Sequence, residues 1–69
     1  MKKEIIDMYF KDTKCPKCKK ESHIAIAGEF TSEGHYLVQR HCNECHHTDV
    51  TNHMTGEIRI GILEDKRWR

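Results

Sequence analysis

Four cysteines, arranged as two identical pairs, constrain the fold of this chain more than any other feature. The first pair lies in CPKCKKE, residues 15–21, and the second in CNECHHT, residues 42–48, so the pattern is C-x2-C-x23-C-x2-C. Two residues between paired cysteines allow one tight turn to direct both sulfurs at a common point, and two such turns supply the ligands of a tetrahedral metal site. The predicted metal ligands are Cys15, Cys18, Cys42 and Cys45.

Other chemistries of paired cysteines fit this sequence less well. A thioredoxin-like redox centre needs a βαβ framework that 69 residues are too few to supply. Two disulfides require an oxidising compartment, and the lysine-rich start leads into no signal-type apolar region. Iron in a rubredoxin-like site also accepts four thiolates, although the aromatic content of 7% and the short central spacer argue against it. The predicted ion is one structural Zn²⁺, because four thiolates leave no coordination position open for water.

The length of the chain explains why a metal would matter for folding. A domain of about this size hides only about 60% of the surface of its unfolded chain, and smaller domains commonly depend on a metal, disulfides or a partner subunit. The longest apolar runs, at 24–27 and 60–63, are far shorter than the roughly 18 residues of a membrane span. We therefore expect a soluble, cytoplasmic protein with a single domain over residues 1–65 and a basic tail at 66–69.

The alternation of apolar and polar residues predicts a small, mostly β, antiparallel fold with four or five short strands and no long helix. A turn at 31–34 is expected to close a hairpin that brings the two cysteine pairs together. The segment EIRIGIL gives the clearest alternation, and it predicts that Ile58, Ile60 and Ile62 face inward. The strands predicted after the first cysteine pair are 23–30, 35–41, 47–51 and 57–63.

The N-terminal segment EIIDMYF, residues 4–10, favours a further strand with Ile6, Met8 and Phe10 on one face. A short helix is the competing prediction for the same residues. If this strand paired with 57–63, the two flanking strands would form a second small sheet. Such a sheet would offer a platform for a partner or a dimer edge.

The motifs CPKC and CNEC, joined by a predicted hairpin and followed by another strand, resemble a zinc ribbon over residues 13–51. Ribbons of this kind occur in transcription elongation factor S, in small subunits of archaeal and eukaryotic RNA polymerases and in antitoxin-type zinc fingers. The resemblance implies a transcription-associated adaptor or inhibitor, although this motif specifies a fold much better than a function.

Two features depart from the ribbon pattern. Zinc ribbons usually have a glycine just after each cysteine pair, where the backbone needs a positive φ angle, whereas this chain has Lys19 and His46 there. The elongation factor also carries an Asp-Glu pair at its hairpin tip, and the tip of this chain has only Glu33. The resemblance therefore does not imply stimulation of transcript cleavage.

The net charge of +1 conceals an uneven distribution, because residues 1–20 carry seven lysines and three acidic residues, while the middle of the chain is acidic. Lysines around the first cysteine pair are suited to contact phosphates, and a tail tryptophan is suited to stack on bases. A solvated charge run and a flexible tail are the simpler interpretation, and a pI near neutrality argues against stand-alone DNA binding. The residues predicted to contact nucleic acid or a partner are Lys17, Lys19, Lys20, Arg40, Arg67, Trp68 and Arg69.

Histidine is also frequent, with six residues, and His41, His46 and His47 flank the second cysteine pair. One of them could replace a cysteine as a ligand, or His46 and His47 could help to form a second metal site. The simpler interpretation is that they lie on a strand surface or support the metal ligands.

The sequence predicts a binding protein and not an enzyme, since it contains no open metal position, no nucleophile–base arrangement and no phosphate loop. The first prediction is a zinc-ribbon module that binds a larger protein partner. The alternative is direct DNA or RNA binding through the first cysteine turn and the RWR tail. A purely structural subunit of a larger complex is a third, weaker hypothesis.

Overall fold

The computed structural model describes residues 2–63, which form one short helix and a four-stranded sheet. The strands are antiparallel and follow the order β1-β2-β3-β4, so each strand pairs with the next one in the chain. Within this part of the chain no helix is long and apolar enough to cross a membrane. The prediction of a small, mostly β fold is confirmed. The elements are α1 (Lys2–Tyr9), β1 (His23–Phe30), β2 (Tyr36–Cys42), β3 (Thr48–Asn52) and β4 (Ile58–Ile60).

The strand predicted at 4–10 is wrong, because this segment forms α1, the competing prediction. The last turn of the helix closes when the N–H of Phe10 donates to the carbonyl of Ile6 (2.8 Å). β4, the expected partner strand, pairs with β3 in the main sheet instead. No second sheet forms among residues 2–63, and a helix satisfies its backbone without a partner strand.

The expectation that the isoleucines of 57–63 face inward is also wrong. Ile58 and Ile60 expose 58% and 74% of their surface, because β4 is the edge strand of the sheet. The alternation stops at Gly61, whose φ of 136° turns the chain. Ile62 then lines a shallow cavity together with Leu63. A period-two pattern correctly predicts a strand here, but it does not tell which face of the strand the rest of the protein covers.

The two faces of the sheet are covered by different segments. On one face, Leu37 and Val50 pack with Leu63, which folds back over the sheet after β4. The N–H of Leu63 donates to the side-chain oxygen of Gln39 (3.0 Å) and holds this segment in place. The other face carries α1, which contacts β2.

Arg40 of β2 fastens α1 to the sheet. Its Nη2 donates to the carbonyl of Tyr9 (2.7 Å) and its Nε donates to the carbonyl of Lys11 (2.9 Å). The side chain is almost fully buried, at 2% exposure, and burial lowers its pKa, with Asp49 acting in the opposite direction. Arg40 is therefore unavailable for the surface contact predicted from the sequence, because it lies beneath the end of α1.

Candidate metal centre

The four cysteine sulfurs gather at one end of the sheet, all within 4.8 Å of one another. The Sγ atoms of Cys15 and Cys45 are 3.6 Å apart, and those of Cys18 and Cys42 are 3.5 Å apart. These distances far exceed the roughly 2.05 Å of a disulfide bond. Four thiolates around Zn²⁺, each about 2.3 Å from the ion, would lie about 3.8 Å from one another. All four predicted ligands are thus brought together in an arrangement that can bind a metal ion.

Both cysteine pairs sit in the same kind of backbone turn. In each turn the carbonyl of the first cysteine accepts a hydrogen bond from the residue four positions later. The N–H of the first cysteine donates to the carbonyl of the residue five positions later. The bonds are Lys19 N to Cys15 O (2.9 Å), Cys15 N to Lys20 O (2.9 Å), His46 N to Cys42 O (2.9 Å) and Cys42 N to His47 O (2.7 Å).

The fifth residue of each turn has a positive φ angle, as the comparison with zinc ribbons predicts. Lys19 and His46 both have φ of 62°. This left-handed conformation costs a residue with a Cβ about 1 kcal/mol more than glycine. Each turn is therefore strained at one position, and the free energy of binding a structural metal ion would be large enough to offset that strain.

Backbone and hydroxyl donors surround the sulfurs. The N–H of Lys17 donates to the Sγ of Cys15 (3.4 Å), and the N–H of Cys45 donates to the Sγ of Cys42 (3.5 Å). The hydroxyl of Ser22 lies 3.2 Å from the Sγ of Cys42. The Cys45 N–H, followed by the Ser22 hydroxyl, lowers the pKa of Cys42 to about 5. These donors stabilise the thiolate, which is the form that binds a metal.

The exposed ligand, Cys45, behaves in the opposite way. The backbone N–H of His47 lowers its pKa, but desolvation and the neighbouring cysteines outweigh that bond and raise the pKa to about 11. The fold therefore favours the thiolate of Cys42 and the protonated thiol of Cys45. A divalent cation must therefore displace protons from the cluster, so its affinity depends on pH.

A third turn with the same backbone pattern, at 52–57, contains no cysteine. The N–H of Asn52 donates to the carbonyl five residues later (2.8 Å), and the N–H of Gly56 donates to the carbonyl of Asn52 (2.7 Å). The Oδ1 of Asn52 accepts from the N–H groups of Met54 and Thr55 (2.9 and 3.2 Å), where a cysteine sulfur accepts in the first two turns. An amide oxygen closes this turn without a metal, and Gly56 takes its positive φ of 81° without strain.

The lysines of the first turn are at the surface, as expected, and the side chain of Lys20 lies 4.0 Å from the carboxylate of Glu44. The exposed lysines there are Lys14, Lys17, Lys19 and Lys20. The tail residues predicted to join them, Arg67, Trp68 and Arg69, lie outside the described residues.

The histidines near the second cysteine pair separate to different sides. The ring of His46 lies beside that of His41, with centroids 5.9 Å apart. His47 turns the other way, and its Nε2 lies 3.0 Å from the Oδ2 of Asp49. Within residues 2–63, His46 and His47 therefore do not share a second metal site. Among residues 2–63, the four cysteines are the one group of three or more metal-ligating side chains close enough to share an ion.

Sequence reasoning missed a buried polar cluster next to the cysteines. Asp49 is 1% exposed, and its two carboxylate oxygens face His47 and His23, the latter at 3.2 Å. The other ring nitrogen of His23 lies 3.1 Å from the hydroxyl of Thr13. The cluster thus connects Asp49 of β3 to His23, which follows the first cysteine turn, and to His47, which ends the second. Its signal in the sequence, one aspartate in a short β-type stretch, is too weak to identify it.

Comparison with known proteins adds no relative, since no family model, curated protein or solved structure is significantly similar to this chain. The resemblance to zinc ribbons therefore rests on the cysteine cluster and its two turns. The cluster is compatible with that superfamily.

Proposed function

We propose that this chain is a non-catalytic module that is held together by one structural zinc ion and that binds a protein partner. The observation that carries the proposal is the cluster of four cysteine sulfurs at tetrahedral spacing. Thiolate ligands in a tetrahedron favour Zn²⁺. Four protein ligands fill the coordination sphere, so the proposal assigns the ion no reacting water and no substrate.

The open edge of the sheet supports binding to a protein. We call residues 58–60 the β4 edge. Its isoleucines, Ile58 and Ile60, are more than half exposed and, as alternate residues of one strand, lie on the same face. Exposed strand edges with apolar side chains recruit other chains by adding a strand to the sheet.

Native mass spectrometry tests the metal half of the proposal. We expect one zinc ion per wild-type chain, and we expect Cys42→Ser to lose both the ion and the folded circular-dichroism spectrum. Ser32→Ala, at the hairpin tip away from the cysteines, is the matched control and should keep both. A wild-type protein that folds without metal would contradict the proposal.

Capture from a lysate of the native cell tests the binding half. The zinc-loaded, tagged chain should retain a protein that the double variant Ile58→Lys/Ile60→Lys does not retain. Equal capture by both proteins would show that the β4 edge is not the binding surface.

Direct binding to nucleic acid is a second candidate, and the four exposed lysines of the first turn favour it. Binding to labelled DNA and RNA should then weaken steeply with salt. The triple variant Lys17→Ala/Lys19→Ala/Lys20→Ala should reduce the slope of that salt dependence, while Lys2→Ala on α1 should not. No binding at low salt would reject this candidate. The transcription-associated role that the resemblance implies stays a prediction.

A further inference from the structure

The two edges of the sheet differ in whether other parts of the chain occupy them. On the outer side of β1, the N–H of Ala25 donates to the Oδ1 of Asp12 (3.1 Å). Thr13 forms an isolated antiparallel bridge with His23, with hydrogen bonds of 2.9 and 3.2 Å. Among residues 2–63, no strand lies on the outer side of β4. Among the described residues, the outer side of β1 is therefore occupied at His23 and Ala25, whereas the outer side of β4 is open.

The backbone register shows which groups the β4 edge offers. The carbonyl of Glu57 and the N–H of Gly61 both bond to β3, at 2.8 and 3.1 Å. Arg59 lies midway between them, so its backbone faces β3 as well. Because successive residues in an antiparallel strand direct their N–H and C=O groups to opposite sides, those of Ile58 and Ile60 point outward. The edge thus presents two donors and two acceptors to an incoming strand.

The apolar and the charged side chains of this segment lie on opposite faces of the strand. Ile58 and Ile60 lie on one face, and Glu57 and Arg59 lie on the other. The Nε of Arg59 donates to the Oε2 of Glu57 (2.8 Å). An acid and a base two residues apart make this strip self-complementary, because an antiparallel copy of it can place each charge opposite its counterpart.

We infer that the β4 edge pairs with the β4 edge of a second copy of this chain, in antiparallel orientation and with Ile58 facing the same residue of the second copy. This inference rests on the proposed function, since it names the partner of the same surface. In this register Glu57 of each copy lies opposite Arg59 of the other. Ile58 and Ile60 of the two copies then form one continuous apolar row across the new strand pair.

Neighbouring registers are excluded by charge and by the path of the chain. A pairing centred on Arg59 would place two arginines directly opposite each other, which is destabilising. A pairing centred on Ile60 would place Arg59 opposite Gly61, so no opposite-charge pair would form there. Gly61, with a φ of 136°, also turns the chain away from the strand path.

The size of the contact determines how strong the association is. Stable protein interfaces bury at least about 1,200 Å² in total, which an edge of three residues does not reach. The dimer is therefore a transient one that forms at high protein concentration. Two opposite-charge pairs and two exchanged backbone bonds set its register.

A charge-swap experiment on the full, zinc-loaded chain tests the inference by sedimentation equilibrium over a wide range of concentration. We expect reversible dimers of the wild type. The single variants Glu57→Arg and Arg59→Glu should each weaken dimerisation by about tenfold, because both cross-strand pairs become like-charge pairs. A mixture of the two single variants should form heterodimers, and the double variant Glu57→Arg/Arg59→Glu should dimerise like the wild type.

Two lysine substitutions separate the β4 edge from a general effect of exposed apolar surface. Ile60→Lys should abolish dimerisation. Ile26→Lys, at a similarly exposed position of β1, should leave it unchanged. The zinc content of each variant, measured by native mass spectrometry, confirms that it is folded.

A zinc-loaded wild type that stays monomeric at every concentration would overturn the second copy as the partner. A mixture of Glu57→Arg and Arg59→Glu that associates no better than each variant alone would overturn the register. Neither result would contradict the proposed function, because zinc content and capture from the lysate are measured in separate experiments. A wild type that dimerises but captures no protein other than its own copies from the lysate would overturn the binding of a different protein and leave the pairing standing.

Discussion

Replacing Arg40 by methionine should detach α1 from the sheet. The guanidinium group donates to the carbonyls of Tyr9 and Lys11 at 2.7 and 2.9 Å, and its third nitrogen lies 3.1 Å from the Nε2 of His53. In the register of β2 and β3, Arg40 also lies directly opposite the buried Asp49. Methionine keeps the apolar stem but removes every donor and the charge.

The expected fall in the free energy of unfolding follows from these contacts. A hydrogen bond with a charged donor contributes about 1.5–3 kcal/mol, and the carbonyls at the end of α1 regain some of this from water once the helix moves away. Asp49, in contrast, stays buried and loses a nearby cation, which adds to the cost. We expect the free energy of unfolding to fall by about 3–5 kcal/mol, a large part of the roughly 5–15 kcal/mol of a typical domain.

Urea denaturation of the zinc-loaded protein, followed by circular dichroism, measures this loss. Amide hydrogen exchange should locate it in α1, where protection should fall before that of the strands. Arg59→Met is the matched control, since Arg59 is an arginine on the exposed edge strand, and it should change stability by less than about 0.5 kcal/mol. An Arg40→Met protein within that same range of the wild type would refute the view that Arg40 holds the helix.

Four further predictions concern the turns, the packing of β1 and the metal. Lys19→Gly and His46→Gly should each raise the free energy of unfolding by about 1 kcal/mol at saturating zinc, since both positions have φ of 62°; lower thermal stability in both variants would count against backbone strain. Gly28→Ala should cost about 1–3 kcal/mol, because a Cβ there would lie 3.0 Å from the Cζ of Tyr36, and an unchanged urea midpoint would contradict this. Chelation of the metal near neutral pH should unfold the protein, as judged by circular dichroism. Zinc affinity, measured by competition with a chelator, should fall as the pH falls, because protons compete for the sulfurs. The pKa of Cys42 is lowered from 9.0 to about 5, so the fold favours its thiolate. This contribution to stability is present at high pH and is lost as the pH drops through 5. Metal affinity that does not change with pH would show that protons do not compete for these ligands.

Local features of the sequence were enough to predict the cluster and the strands that carry it. The C-x2-C spacing confines two sulfurs to one turn, so each pair of candidate metal ligands follows from short-range geometry. The positive φ angles at Lys19 and His46 have the same origin, since one kind of turn requires them at the position after each pair. The hairpin between the pairs and the strand after the second pair could be predicted because alternation and turn residues are local signals as well.

The errors all concern partners that lie far away in the chain. Residues 4–10 are compatible with a strand or a helix, and they form the helix that lies against β2, while β4 pairs with β3. Arg40 is a charged residue of the kind that usually lies at the surface, yet α1 covers it. Ile58 and Ile60 have the pattern of a core strand, yet β4 lies at the edge of the sheet.

The sequence by itself therefore determined the chemistry of this protein, a four-cysteine cluster in two matched turns. Only the tertiary structure decided which of its surfaces are open. The physical reason is that ligand spacing acts over a few neighbouring residues, whereas burial depends on which distant segment covers each face. Here the helix and the chain around Leu63 cover the middle of the sheet, and the β4 edge, with Ile58 and Ile60, extends beyond both.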